Sequence, residues 1–130
     1  ADMYQPLASG GGKLVGPDTL ARMGRVAMAT HEDATLLIPS RFALGFMKSM
    51  DNRVLASEPN SSCILGDTAF GHVGMGGSIG FADPEAHLSF GYNMNRMGAG
   101  TLLNDRGQAL VDAAYPALGY RSNASGVWAL

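Results

Sequence analysis

The sequence predicts an α+β fold in which an antiparallel sheet of about four strands packs against helices near both ends of the chain. Three observations support this prediction. Bulky and small residues alternate over Phe70 to Met97, which indicates three consecutive strands. Apolar residues recur at helical spacing after Gly16 and again after Asn104. The links between the three strands are short and have turn-forming sequences, so the strands are expected to run antiparallel.

The three strands are expected to form a meander. The first carries His72 and ends at a turn over Gly76-Gly77, and the second runs from Ser78 to Ala82. Asp83-Pro84 then begins a type I turn, and the third strand runs from His87 to Asn95. In the last two strands one face is bulky and apolar and the other is small. A row of small residues allows a helix, a ligand or another backbone to approach closely.

The residues before the meander supply two helical stretches and one more strand. Ala1 to Ser9 is compatible with a helix that stops at three glycines. A second helix is expected from Pro17 to about Met28, since proline is favoured at the first helical position. Its predicted buried stripe contains Leu20, Met23, Val26 and Ala27. Alternation over Arg41 to Ser49 predicts the fourth strand, and Asp51 to Asp67 is expected to be a polar loop.

A last helix is predicted from Asp105 to about Tyr115, with Asn104 as its N-cap. Pro116 is expected to end or kink this helix. The residues predicted to share its buried face are Leu110, Val111, Ala114 and Leu118. The tail after the helix is rich in Ser, Asn and Gly apart from Trp128, so loose packing is expected there.

The composition narrows the function classes. The chain has 130 residues, 46% hydrophobic and 15% charged, which excludes a disordered chain and suggests that part of the surface contacts something other than water. The net charge of −2 and the scattered basic residues give no reason to expect a nucleic-acid partner. No apolar run reaches the length of a membrane span, and the first residues do not form a signal peptide. They look instead like the end of a helix.

No metal or cofactor is expected from the titratable residues. The lone Cys63 excludes an internal disulfide and a cysteine metal cluster. No base lies near it in sequence, so a structural thiol is the expectation. His31 stands beside Glu32 and Asp33, but no second cluster at metal-site spacing exists in the sequence.

The sequence contains no complete catalytic set: there is no Gly-x-Ser-x-Gly elbow and no phosphate loop. Residues 74–77, Gly-Met-Gly-Gly, lead into a strand, so the helix N-terminus that binds phosphate is missing. His72-Val73-Gly74 remains as the candidate. A strand histidine is more often a packed, hydrogen-bonded residue than a catalyst. Here, however, Gly74 leaves room for an extended substrate at the sheet edge, and a backbone N–H just beyond it can serve as half of an oxyanion hole.

At these residues the chain resembles the C-terminal region of the serine β-lactamase-like esterases, the superfamily that includes class C β-lactamases and D-alanyl-D-alanine peptidases. The family's third motif is Lys-Thr-Gly in β-lactamases and often His-x-Gly in the esterase branch, and His72-Val73-Gly74 matches the second form. The following Gly-Gly-Ser, the turn at Asp83-Pro84 and Asn95-Arg96-Met97 fit as well. So do the Leu44-Gly45-Phe46 strand and the helix after Gly16-Pro17. The resemblance covers nearly the whole chain and implies a partial β-lactamase/transpeptidase-like fold.

The resemblance also implies roles for individual residues. His72 would orient or polarise the substrate near the nucleophile, and the backbone N–H of Met75, just after Gly74, would supply half of the oxyanion hole. Asn95 is a weaker candidate, since it could simply tie the strand end to the helix. The implied substrate is a small ester or a β-lactam, and the histidine favours esters because a fixed lysine charge suits the carboxylate of β-lactams and peptides.

One departure from the family is decisive for activity. The nucleophile lies in Ser-x-x-Lys, where lysine activates serine for acyl transfer, and no serine here has a lysine three residues later. The expectation is therefore that residues 1–130 are the C-terminal portion of the α/β part of a longer hydrolase, inactive alone, whose missing partner is its own N-terminal portion. Two alternatives stay open: a non-catalytic binding or assembly module, of which a homo-oligomer would be one form, and a relative that has lost activity and senses ligands.

Overall fold

The computed structural model describes residues 1–55 and 60–130 and contains both helices and strands. The helices are α1 (Gln5–Ala8), α2 (Pro17–Gly24) and α3 (Asp105–Ala117), and the strands are β1 (Met28–Thr30), β2 (Ser40–Phe42), β3 (Phe70–Gly74), β4 (Ser78–Asp83) and β5 (Leu88–Tyr92). This is the predicted α+β class with helices near both ends of the chain. In the described part of the chain, no helix has the length and apolar character needed to cross a membrane.

The predicted meander is confirmed: β3, β4 and β5 pair in that order and antiparallel. His72 lies opposite Gly80, and Gly80 lies opposite Gly91 on the third strand. The third strand is shorter than predicted. His87 belongs to the turn, with φ of +49°, and the chain leaves the strand after Tyr92.

The predicted strand from Arg41 to Ser49 is wrong in its second half. After β2 the chain reverses at Gly45, whose φ of +80° favours glycine, and the Ala43 N–H donates to the Phe46 carbonyl at 2.8 Å. Met47 then pairs antiparallel with Phe42 and with Gly71, joining the β1–β2 ladder to β3. The prediction failed because the apolar residues of this tight turn alternate with small residues, as they would in a strand.

The second helix ends earlier than predicted. It stops at Gly24, and Arg25 is already extended with ψ of 137°. Met28, expected at the end of the helix, instead begins β1, which pairs with β2. Of the predicted stripe, Leu20 alone is buried inside the helix.

The main core lies between the meander and α3. Val73, Ile79 and Phe81 from the sheet belong to one cluster with Val111 and Tyr115 from the helix. Asn104 caps the helix as predicted, accepting from the Gly107 N–H at 3.2 Å. The predicted helix face is only partly right, because the buried residues recur every four positions. These are Gly107, Val111 and Tyr115, whereas Leu110 and Leu118 are exposed.

The other face of the meander carries a second cluster. Its buried members come from α1, α2 and the sheet: Tyr4, Leu7, Ala8, Leu20, Phe70 and Ala82. The small residues allow this approach, as predicted, since a Cβ on Gly80 would lie 2.8 Å from the Tyr4 ring and a Cβ on Gly91 would lie 2.7 Å from the Ala1 nitrogen. The sheet is therefore covered on both faces.

The predicted polar loop contains buried residues, and the tail predicted to pack loosely is packed on the core. In the predicted loop from Asp51 to Asp67, residues 56–59, which include Pro59, lie outside the described part. Cys63, however, is buried and pairs with Met50. The tail returns to the core, because the Trp128 ring stacks on Tyr115 with ring centroids 5.6 Å apart, and the Trp128 backbone N–H donates to the Leu65 carbonyl at 2.9 Å.

A buried carboxylate joins the meander to α3. Asp83 is 1% exposed and accepts from the Tyr115 hydroxyl and the Thr68 hydroxyl, each at 2.7 Å. The Tyr115 oxygen in turn accepts from the Gly66 N–H at 2.7 Å. The Asp83 carboxylate also accepts from the backbone N–H groups of the turn that follows it. This network satisfies a charge that would be costly to bury alone.

Candidate active site

His72 lies on the α1 side of the meander with its side chain exposed. The partner of His72 across the sheet is Gly80, which has no side chain, so the imidazole borders a cavity of about 350 Å³ that also contacts Tyr4, Ser78 and Gly91. The ring Nδ1 lies 2.7 Å from the Val73 carbonyl oxygen. Because a carbonyl can only accept, this contact places a proton on Nδ1 and leaves Nε2 as an acceptor in the neutral ring.

Met75 follows His72 in a tight turn from Gly74 to Gly77. The Gly77 N–H donates to the Gly74 carbonyl at 3.0 Å, and Gly76 has φ of +87°, as the third position of a type II turn requires. In a trans peptide the N–H points opposite to the preceding C=O. The Gly74 carbonyl points into the turn, so the Met75 N–H points outward, and no acceptor for it lies within residues 1–55 and 60–130.

The Asn104 side chain holds this turn in place. Its side-chain nitrogen donates to the Gly76 carbonyl at 2.7 Å, while its side-chain oxygen caps α3. A Cβ on Gly77 would lie 2.4 Å from the same Asn104 nitrogen, so the glycine is needed for this contact. The side chain is buried. One residue therefore couples the outward-pointing Met75 N–H to the last helix.

Gly74 is a glycine for a reason that the sequence does not indicate. A Cβ at this position would lie 2.4 Å from the Ser78 hydroxyl oxygen across the hairpin. The glycine therefore makes room for a side chain of its own sheet. Its proposed part in admitting an extended substrate at the sheet edge stays a prediction.

The other candidates lie away from this place. Asn95 is exposed beyond β5, and its side chain makes no hydrogen bond within the described residues. The tie to the last helix is made instead by Arg106, which donates to the Arg96 carbonyl at 3.0 Å. No group of three metal-binding side chains that includes His31 is found among the described residues. Burial raises the pKa of the Cys63 thiol to about 12, which fits the expected structural thiol.

Sequence reasoning missed two residues. It identified Asn104 as a helix cap but not as the clamp on Gly76, because the two are 28 positions apart. It also gave no role to Lys48, which is 2% exposed. The available signal was a lysine within the apolar run Phe46 to Met50.

A meander covered by helices on both faces, with an exposed histidine two residues before a strand-end glycine turn, fits the β-lactamase fold that the sequence motif predicted. The comparison with protein families gives the same answer, because the beta-lactamase family model matches residues 1–115. The chain belongs to the beta-lactamase family.

Several relatives cover most of this chain. The esterase/beta-lactamase LipL of Mycobacterium tuberculosis is 29% identical over 109 residues, which are 81% of this chain and 23% of LipL. A solved family VIII carboxylesterase is 34% identical with a TM-score of 0.70, covering 89% of this chain and 30% of its own. A penicillin-binding protein homolog from Caulobacter crescentus is 29% identical with a TM-score of 0.73, covering 90% of this chain and 30% of its own. The chain thus spans less than a third of the length of these relatives.

Proposed function

We propose that residues 1–130 are the C-terminal portion of a serine hydrolase that cleaves small carboxylic esters through an acyl-enzyme. The Ser-x-x-Lys nucleophile would come from residues N-terminal to Ala1. One observation carries the proposal. At the C-terminal end of β3 the exposed His72 side chain lies close in sequence to a Met75 N–H that points away from its turn. The family match and the relatives named esterase or carboxylesterase support it.

In this mechanism the serine oxygen attacks the ester carbonyl carbon while the lysine takes its proton. The carbonyl oxygen becomes an oxyanion and accepts a hydrogen bond from the Met75 N–H. Collapse of the intermediate expels the alcohol, which takes back the proton, and water then releases the acid from the acyl-enzyme. His72 orients the substrate without adding a fixed positive charge, which suits an uncharged ester better than a carboxylate-bearing β-lactam.

The decisive test is a chimaera in which this chain replaces the matching 30% of the family VIII carboxylesterase, with the isolated chain as reference. The isolated chain, checked by intact mass, should not hydrolyse p-nitrophenyl butyrate, whereas the chimaera should. A folded chimaera that cleaves no short-chain ester would refute the proposal. An isolated chain that cleaves the ester, and loses this activity in His72→Ala, would show that the nucleophile lies within these residues.

Two substitutions in the chimaera, each with a control substitution, test the individual roles. Met75→Pro removes the N–H at the second turn position, where proline is well tolerated, and should lower kcat roughly 100-fold or more. Met75→Ala keeps the N–H and should retain activity. His72→Ala should lower kcat/KM, while His31→Ala, an exposed histidine on the β1–β2 side, should not.

The alternative, a binding or assembly module, is favoured by one observation. Within the described residues β5 has no partner on its outer edge, and such an edge can pair with another chain. Sedimentation of the isolated chain and of the chimaera distinguishes an assembly edge from an edge that the rest of a hydrolase covers. Self-association that persists in the active chimaera would indicate assembly, whereas association confined to the isolated chain would indicate an edge that the rest of the hydrolase covers.

A further inference from the structure

A second cavity, of about 540 Å³, opens beside α2 and the first residues of β3. None of the residues that line the His72 cavity lines this one. Its volume lies in the range of small-molecule sites, roughly 300–1,000 Å³. Most of its wall is apolar and is formed by Pro17, Leu20, Ala21, Val26, Phe70 and Pro84.

The lining of this cavity also includes three basic residues. Arg25, Arg41 and Lys48 line it together with a single carboxylate, that of Asp67. The ammonium of Lys48 donates to the Asp67 backbone carbonyl at 2.8 Å, which uses one of its three donors. The Arg41 guanidinium donates to the Ser49 carbonyl at 3.3 Å. In the described part of the chain none of these three cations forms an ion pair.

The buried Lys48 ammonium has too little negative charge around it to offset its own charge, so an anion bound beside it would be stabilised. Removing Lys48 from water opposes its charge and lowers its pKa to about 8, and the neighbouring Arg41 acts in the same direction. Asp67 and Asp83 offset only part of this effect. At pH 7 the lysine is still mainly protonated, so an incoming carboxylate would meet three cations and one acid.

We propose that this cavity binds a small carboxylate with an apolar tail, of the fatty-acid type. Its carboxylate would lie among Lys48, Arg41 and Arg25, and its tail would lie along Leu20 and Phe70. Charge complementarity selects the carboxylate, since three cations and one acidic residue line the cavity, and the apolar wall selects the tail. The site is separate from the His72 cavity and does not depend on the chain being part of a hydrolase.

The test uses the 130-residue chain and three probes of equal chain length: octanoate, octan-1-ol and octylammonium, measured by isothermal titration calorimetry. Octanoate should bind, and the other two should bind at least about tenfold more weakly, because a charge-assisted hydrogen bond is lost. Lys48→Met should weaken octanoate by a similar factor. Arg25→Ala, at an exposed position, should weaken it as well. Lys13→Met, the one other lysine and exposed, is the control and should leave octanoate binding unchanged.

Three results would overturn the proposal. If octanol binds as tightly as octanoate, the cavity recognises only the apolar tail and not the carboxylate. Unchanged octanoate affinity in both Lys48→Met and Arg25→Ala would place the carboxylate elsewhere. If the chain is folded by circular dichroism but does not bind octanoate, the role of Lys48 is structural: its ammonium holds the Asp67 carbonyl.

Discussion

Lys48 is expected to make the stability of this protein depend on pH. The lysine has a pKa of 10.5 when unfolded and about 8 in the fold, chiefly because burial opposes its charge. Between these values the unfolded chain binds more protons than the folded one, so the free energy of unfolding rises with pH through this window. Below pH 8 the folded protein carries the full cost of a buried ammonium, and above pH 10.5 that cost is gone.

The magnitude follows from the shift. A difference of about 2.5 pKa units corresponds to about 3 kcal/mol over the whole window, of which about 1.4 kcal/mol falls between pH 7 and pH 9. Lys48→Met removes the ionisable group and fills a similar volume. The difference in unfolding free energy between Lys48→Met and the parent chain should therefore change by about 1.4 kcal/mol over this interval, in favour of the parent as pH rises.

The measurement is urea unfolding at pH 7, 8 and 9, followed by the fluorescence of Trp128, the one tryptophan of the chain. Comparing variants is necessary because other buried groups oppose the trend. The pKa of Cys63 is raised to about 12 by burial, so its effect lowers stability at high pH in both chains. Lys13→Met, at an exposed position, controls for the change in net charge. A difference constant to within roughly 0.3 kcal/mol would refute the reasoning.

Three further outcomes are expected. Tyr115→Phe should lower the free energy of unfolding by about 2–3 kcal/mol in urea titrations, because it removes the hydroxyl that donates to buried Asp83, whereas a neutral effect would show that water replaces it. Gly80→Ala should cost about 1–3 kcal/mol, since the new Cβ would lie 2.8 Å from the Tyr4 ring, and an equally stable variant would contradict the close packing of α1. Cys63 should react with Ellman's reagent only at the rate of unfolding, and rapid labelling of the native chain would contradict its burial.

The parts of the fold that the sequence predicted correctly depend on local patterns. The meander follows from alternation and from turn residues that lie next to each other in the chain, and the Asn104 cap lies beside the helix it begins. The errors arose where one local pattern fits two structures. Apolar residues around Gly45 alternate in a tight turn as they would in a strand, and the two are distinguished by the φ of Gly45 and by the pairing of Met47 with Gly71.

The site was predictable to the extent that it is a sequence motif. His72 and the Met75 N–H were proposed from three neighbouring residues and the family resemblance, and their catalytic roles stay predictions. The burial of Lys48 has one local signal, its place within the run Phe46 to Met50, which was not used. The hydrogen bond from Asn104 to Gly76 joins distant segments, so no local pattern indicates it. The same holds for the packed tail, since a Ser/Asn/Gly-rich composition gives no sign that Trp128 stacks on Tyr115.

The double role of Asn104 has a consequence for the motions of the molecule. Fraying of the first turn of α3 would release the side chain that also holds the Gly76 carbonyl. The glycine turn and the helix end should then open as one unit, and their amide protons should exchange with solvent at matched rates. The Met75 N–H, which we propose as an oxyanion donor, would in this way be held in place by the first turn of α3.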